Sequence, residues 1–140
     1  MHSVEQCFPV TIGEDEYWTI NALGNIAQRY ANDCDERDFT HDIGLMFLTR
    51  EEAEFKLKQI RAEGKIRKWI HERGYEFTPD WKDKKQRKHF IYFCYENNEF
   101  STSYIYTARV QECIYYKEST HSKECIEQLE EELKTIFNIK

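Results

Sequence analysis

Three glutamates lie close together in the stretch GLMFLTREEAE, at positions 51, 52 and 54. Clustered carboxylates can hold a metal ion or exchange a proton with a substrate. The same stretch contains Thr49-x-x-Glu52, the capping-box pattern, in which a threonine hydroxyl accepts a hydrogen bond from a backbone amide at a helix start. Capping accounts for the threonine as well as the carboxylates, which also lie where the helix dipole favours negative charge. The motif therefore predicts a helix start and no catalytic site.

Histidines and cysteines offer a second set of candidate ligands. His121 and Cys125 are four residues apart with Cys113 nearby, and Cys34 and His41 are seven apart. Zinc uses such side chains, but the characteristic spacings of structural zinc sites are missing. Cys125 falls on the apolar stripe of a predicted helix, where a buried free cysteine is ordinary. We expect no metal, no cofactor and no enzymatic activity; a Cys/His nucleophilic pair from distant segments has no local signature here.

The stretch WKDKKQRKH, from Trp81 to His89, places five Lys/Arg side chains beside a tryptophan and ahead of an aromatic strand. Charge next to an aromatic ring can bind a nucleotide or RNA by ion pairing and stacking. The alternative is a solvated basic loop, the commoner origin of such runs. For an anionic ligand, the candidate residues are Trp81, Lys84, Lys85, Arg87, Lys88 and Arg109.

Acidic side chains form a third candidate surface. The segments DCDERDFTHD and EQLEEEL could mimic DNA phosphates and occupy a nucleic-acid channel of a partner protein, although charge runs are usually ordinary surface. The residues that would contact such a partner are Asp33, Asp35, Glu36, Asp38, Asp42, Glu130 and Glu131.

Composition narrows the class of protein. The 140 residues fit one domain. The net charge of −6 is segregated: residues 1–44 carry two basic and nine acidic side chains, and residues 45–89 carry thirteen basic and eight acidic. The acidic arm argues against direct duplex DNA binding, which needs clustered Lys and Arg. Five cysteines without a C-x-x-C pair, and no signal peptide or membrane-length apolar run, predict a cytoplasmic protein without disulfides.

Hydrophobic periodicity predicts an α+β fold: a single domain, residues 1–140, of two ββα-like halves at about 15–74 and 79–140. Each half has antiparallel strands and one main amphipathic helix. The predicted strands are Tyr17–Asn21, Ile26–Tyr30, His89–Tyr95, Phe100–Val110 and Glu112–Lys117. The first helix begins at Thr49, has a bend or break at Gly64 and ends near Arg73-Gly74, and the last begins around Thr120.

Three stretches carry a family resemblance: GLMFLTREEAEFKLKQI, FTPDWKDKKQRKHFIYF and VQECIYYKESTHSKECIEQLEEEL. In this order they resemble a family of small hypothetical proteins encoded in phages and prophages of Gram-positive bacteria, over about Tyr17 to Phe137. The sequence departs from the family pattern at Leu45, Phe77 and Ser119–Lys123, which affects local turns. The family has no agreed activity or catalytic residues, so the resemblance implies only a phage accessory role.

The resemblance and the charge segregation together predict an anti-defence protein that acts by stoichiometric binding. In its most concrete form it is a CRISPR–Cas inhibitor that occludes a nucleic-acid site, and its partner is a host defence protein or ribonucleoprotein effector. One alternative is a small-molecule sponge that sequesters a cyclic-nucleotide or ADP-ribose signal, with a homo-oligomer as its expected form. Another is a phage assembly factor. The expected cellular location is the cytoplasm of the infected bacterium, and no membrane contact is expected.

Overall fold

The structure, a computed structural model, describes residues 16–21, 23–30, 46–108 and 113–139. Its elements are β1 (Glu16–Ile20), β2 (Ile26–Tyr30), β3 (Met46–Phe47), α1 (Arg50–Arg73), β4 (Lys88–Cys94), β5 (Glu99–Ile105), α2 (Ser119–Gln128) and α3 (Glu130–Phe137). The strand pairs among these described residues are all antiparallel, which confirms the predicted α+β class. The chain divides into two units, residues 1–59 and 60–140, described separately below.

The first unit contains a three-stranded sheet in the order β2-β1-β3. The predicted hairpin between β1 and β2 is confirmed, with Ile20 opposite Ile26. Asn21 organises the loop, because its side-chain oxygen accepts hydrogen bonds from the amides of Leu23 and Asn25, both at 3.0 Å. Gly24 has φ +79°, a conformation that favours glycine.

Helix α1 begins and ends where the sequence predicts. The Thr49 hydroxyl accepts a hydrogen bond from the Glu52 amide at 3.2 Å, so the cap is formed. At the other end Gly74 has φ +70°, and the Tyr75 amide donates to the Ile70 carbonyl at 2.9 Å. This six-residue bond is the mark of a Schellman motif. The predicted break at Gly64 is wrong, since the helix runs unbroken from Arg50 to Arg73.

Removal of the cap is expected to weaken α1. Thr49→Ala should lower the free energy of unfolding by about 1 kcal/mol, because an amide of the first turn loses its acceptor. Thr49→Ser keeps the hydroxyl and should stay near the wild type. Urea unfolding followed by circular dichroism measures both variants. Equal stability of Thr49→Ala and Thr49→Ser would show that the hydroxyl has no capping role.

The second unit contains the β4–β5 hairpin, paired from Lys88↔Ile105 to Cys94↔Glu99. Asn98 closes the turn with φ +55°, which matches the predicted Asn97-Asn98 turn. Strand β5 ends at Ile105, short of the predicted Val110.

The predicted third strand at Glu112–Lys117 is wrong for its described part. Only an isolated bridge joins His89 and Tyr116. The two adjacent tyrosines serve packing instead, with Tyr115 against Trp81 and Tyr116 hydrogen-bonded to Cys125. β-prone aromatic residues therefore did not produce a ladder here.

The predicted last helix is two helices, α2 and α3, separated at Leu129, where φ is −127° and ψ is 35°. The interruption costs few backbone hydrogen bonds, because the Leu129 amide still donates to Cys125 and its carbonyl still accepts from Leu133. Both helices pack on the core of the second unit. Its buried members are Ile66, Ile70, Ile91, Tyr116, Cys125 and Leu133.

Candidate functional site

Lys88, predicted as a ligand-binding residue, is instead buried. It opens β4 with none of its surface exposed. Its ammonium donates to the carbonyls of Gln86 at 3.0 Å and Asp83 at 3.3 Å. The nitrogen also lies 5.4 Å from the centroid of the Trp81 ring, within cation–π range. The structure therefore corrects the assignment: Lys88 holds the connector 80–87 onto the strand and presents no charge to a ligand.

Trp81 belongs to the same internal packing. Its ring meets Tyr115 edge to face, with centroids 5.0 Å apart, and Tyr115 in turn lies 6.4 Å from Phe90. The indole is partly buried, with Tyr115 and the Lys88 ammonium as its neighbours. These contacts give Trp81 a role in folding the connector, and its role in stacking on a ligand stays a prediction.

The connector presents its other lysines to solvent. Asp80 accepts a hydrogen bond from the Lys82 amide at 3.0 Å, and Asp83 accepts one from the Lys85 amide at 2.9 Å. Such side-chain-to-backbone bonds form tight turns. Lys84 and Lys85 are exposed as a result and can contribute positive charge. Arg109 lies outside the described residues.

Arg87 has the most organised environment among the predicted basic residues. Its guanidinium carbon lies 4.6 Å from the centroid of the Tyr104 ring, and its Nε donates to the Tyr106 hydroxyl at 3.3 Å. The rings of Tyr104 and Tyr106 meet edge to face at 5.6 Å. All three residues are exposed, Tyr104 at 42% and Tyr106 at 37%. We call Arg87, Tyr104 and Tyr106 the Arg87 surface.

The guanidinium of this surface is charged and already oriented. The hydrogen bond to Tyr106 raises the pKa of Arg87 above its usual value, with smaller electrostatic contributions from Tyr106 and Tyr104. No described residue accepts a hydrogen bond from its two terminal nitrogens. A guanidinium held at Nε and on one face can offer its terminal N–H groups to a carboxylate or phosphate in a bidentate manner.

His89 lies beneath the Arg87 surface. It is 8% exposed, and its ring contacts Tyr104 edge to face at 5.7 Å. Burial lowers the pKa of His89, and the nearby Arg87 charge lowers it further. The imidazole is therefore neutral at pH 7. It supports Tyr104 without adding charge.

A second polar network, which the sequence did not predict, joins the end of α1 to α2. Arg73 donates to Glu124 at 2.5 Å and to Gln128 at 2.7 Å, and the Tyr75 hydroxyl donates to Glu124 at 2.9 Å. This last bond raises the pKa of Tyr75. The partners are about fifty residues apart in sequence, so no local pattern indicates them. Their groups satisfy one another, which gives the network a structural role.

The acidic surface is described only in part. Asp33, Asp35, Glu36, Asp38 and Asp42 lie outside the described residues. Glu130 and Glu131 are exposed in the first turn of α3, where the helix dipole favours carboxylates. Both pair with the Lys134 ammonium, at 3.4 and 3.6 Å. Local helix electrostatics therefore accounts for the described pair.

Cys125, one of the candidate metal ligands, is fully buried and accepts a hydrogen bond from the Tyr116 hydroxyl at 3.5 Å. Burial raises the pKa of its thiol. Within the described ranges, no three His, Cys, Asp or Glu side chains are placed to hold a metal ion. Cys34 and His41 lie outside those ranges.

The burial of Cys125 predicts its reactivity. In the native protein Cys125 should react with iodoacetamide far more slowly than Cys94 and Cys113, because the thiolate is the nucleophile and this thiol is both shielded and protonated. Timed labelling at neutral pH followed by peptide mass spectrometry measures the rates. The denatured protein is the control and should lose the difference. Fast native labelling of Cys125 would contradict the described core.

A cavity of about 250 Å³ adjoins the core of the second unit. Its described walls are mostly apolar, among them Ile66, Ile91 and Leu133, and the carboxylate that lines it, Glu63, pairs with Arg67 at 3.4 Å. A specific ligand site needs polar groups directed at the ligand. The Arg87 surface meets that condition better than this cavity.

No protein-family model, no curated protein and no solved structure matches this chain. None of the described helices is both long enough and apolar enough to cross a membrane.

Proposed function

We propose that this protein acts by binding an anionic ligand that carries an aromatic ring, and that the Arg87 surface is where it binds. The observation that carries the proposal is the exposed Arg87 guanidinium, which Tyr104 and Tyr106 fix while none of the described residues accepts a hydrogen bond from its terminal nitrogens. Pre-organisation of this kind reduces the ordering cost of binding. Lys84 and Lys85 add positive charge on the adjoining connector.

A nucleotide has the chemistry that this surface fits. Its phosphate oxygens can accept two hydrogen bonds from the terminal N–H groups of Arg87. Its base can stack on an exposed tyrosine ring, a contact worth roughly 1–3 kcal/mol per base. Short-range stacking and one bidentate ion pair recognise a small ligand or a strand end, and they do not provide the long row of phosphate contacts that duplex DNA requires.

In the biological setting that the family resemblance implies, the proposed role is stoichiometric inhibition of a bacterial defence system. A sponge that sequesters a cyclic-nucleotide or ADP-ribose signal is the form that the Arg87 surface favours. Occlusion of a nucleic-acid site on a CRISPR–Cas effector stays as the second candidate. It is supported by Glu131, whose side chain is 86% exposed despite its pairing with Lys134.

Calorimetric titration separates the two candidates. The probes are a cyclic dinucleotide, ADP-ribose and a short single-stranded RNA, each added to the protein alone. Saturable binding of one probe, lost in Tyr104→Ala, supports the nucleotide-binding proposal. Absence of binding, together with co-elution of the protein with a CRISPR–Cas effector and loss of co-elution in Glu130→Lys/Glu131→Lys, would replace it with occlusion. If neither occurs and phage plating on defended hosts is unchanged, both are wrong.

A further inference from the structure

The hydrogen-bond pattern of the β4–β5 hairpin determines which backbone amides and carbonyls of β5 point away from β4. The His89 amide donates to the Tyr116 carbonyl at 3.0 Å, and the Tyr116 amide donates to the His89 carbonyl at 2.8 Å. Because both polar groups of His89 point away from β5, His89 and its opposite residue Tyr104 form a non-hydrogen-bonded pair within the hairpin. The alternation of an antiparallel ladder then directs the amides and carbonyls of Phe100, Thr102 and Tyr104 away from β4.

This outer edge of β5 has no partner in the part of the chain that the structure describes. No described strand pairs with it, and no backbone hydrogen bond reaches Phe100, Thr102 or Tyr104 from that side. Natural edge strands are usually protected by charged side chains, prolines or bulges. From Phe100 to Ile105 the sequence is FSTSYI, which contains no charge and no proline.

The opposite edge of the hairpin, along β4, is already occupied. His89 is already bridged to Tyr116, and Ile91 is only 5% exposed, so a second strand cannot align along β4. Within the described residues, one edge of the hairpin is therefore open and the other is closed. This favours pairing between identical edges, which closes as a dimer, over head-to-tail addition, which would propagate.

We propose that β5 pairs with β5 of a second copy of this chain, antiparallel and with the two Thr102 residues opposite each other. In this register the outward-facing groups are complementary: Thr102 exchanges both hydrogen bonds with its counterpart, and Phe100 does so with Tyr104 of the partner subunit. The two hairpins become one four-stranded sheet. Each Phe100–Tyr104 pair is an aromatic cross-strand pair, a favourable combination on a sheet face.

The pairing has a consequence for the Arg87 surface. In the dimer, Phe100 of the partner subunit lies beside Tyr104 and adds a second aromatic ring next to the exposed Tyr104 ring. The dimer stands on the backbone pattern of β5 and does not rest on the proposed function. The experiments below measure self-association without ligand, so either proposal can fail alone.

The first test removes an outward-facing amide. Thr102→Pro deletes a donor that points away from β4, a position where an edge strand tolerates proline. Analytical ultracentrifugation over a range of concentrations should show a reversible dimer for the wild type and a monomer for Thr102→Pro, with unchanged circular dichroism. A wild type that stays monomeric at millimolar concentration overturns the proposal.

The second test checks the register and does not depend on the proline variant folding. Ser101 and Ser103 lie on the other face of β5, and the proposed register sets Ser101 opposite Ser103 of the partner subunit. Ser101→Lys/Ser103→Lys and Ser101→Glu/Ser103→Glu should each be monomeric, because like charges face each other. Their equimolar mixture should restore the dimer. Dimers in either double variant alone, or no dimer in the mixture while the wild type dimerises, would exclude this register.

Discussion

Arg87→Ala is expected to weaken binding of a nucleotide probe about 10- to 100-fold, since hydrogen bonds to a charged group are worth roughly 1.5–3 kcal/mol. The loss follows from the geometry: the terminal nitrogens of Arg87 are the oriented donors on the surface, held by the Tyr104 ring and the Tyr106 hydroxyl. Fold stability should change little, because the side chain is exposed. Calorimetry measures the affinity, and urea unfolding measures the stability.

Two variants are the controls for the predicted affinity loss of Arg87→Ala. Arg87→Lys keeps the charge but loses the planar donor pair and should recover only part of the affinity. Lys84→Ala removes one positive charge three residues away and should reduce the affinity only slightly, because an exposed charge is screened by salt. Equal losses in Arg87→Ala and Lys84→Ala would mean that net charge, and not the fixed guanidinium, controls binding.

Lys88→Ala is expected to lower the free energy of unfolding by about 3 kcal/mol, from lost packing of a buried side chain and from the Gln86 and Asp83 carbonyls left without their donor. The ammonium is enclosed by the Gln86 and Asp83 carbonyls and the Trp81 ring. Lys88→Glu should be worse, because it would place a carboxylate against two carbonyl oxygens. Urea unfolding followed by circular dichroism gives the free energies.

The matched control is Lys85→Ala, a lysine of the same connector whose side chain is exposed. Its stability should stay within about 0.5 kcal/mol of the wild type. If Lys88→Ala is as stable as Lys85→Ala, and loses ligand affinity instead, Lys88 is a binding residue and the described burial is wrong.

The parts of the fold that the sequence predicts are those determined by neighbouring residues. Thr49 and Glu52 specify the start of α1, and Gly74 its end, because capping involves side chains and amides within a few positions. The break at Leu129 and the missing strand around Tyr115 depend on packing against distant residues. Periodicity alone contains no signal for either.

The candidate site was predicted in part. The basic stretch indicated Arg87, which is exposed, and also Trp81 and Lys88, whose inward direction follows from the fold of the connector. Tyr104 and Tyr106 were missed, because a two-residue Asn97-Asn98 turn would set Glu96 opposite Glu99, whereas the observed register sets Cys94 opposite Glu99 across a four-residue turn. Extending that register by one residue beyond Lys88↔Ile105 brings Arg87 opposite Tyr106. A register drawn from the two-residue turn would have set Arg87 opposite Ala108, so the sequence did not indicate Tyr106.

The most direct test of the account follows the Arg87 side chain itself during ligand addition. The Nε–H resonance of Arg87, assigned by comparison with Arg87→Lys, is recorded by NMR while a cyclic dinucleotide, ADP-ribose or a short single-stranded RNA is titrated. Binding at the Arg87 surface should give a saturable shift of this resonance with at least one probe, together with shifts of the Tyr104 and Tyr106 ring resonances. No change at Arg87 with any of these probes at millimolar concentration would contradict it.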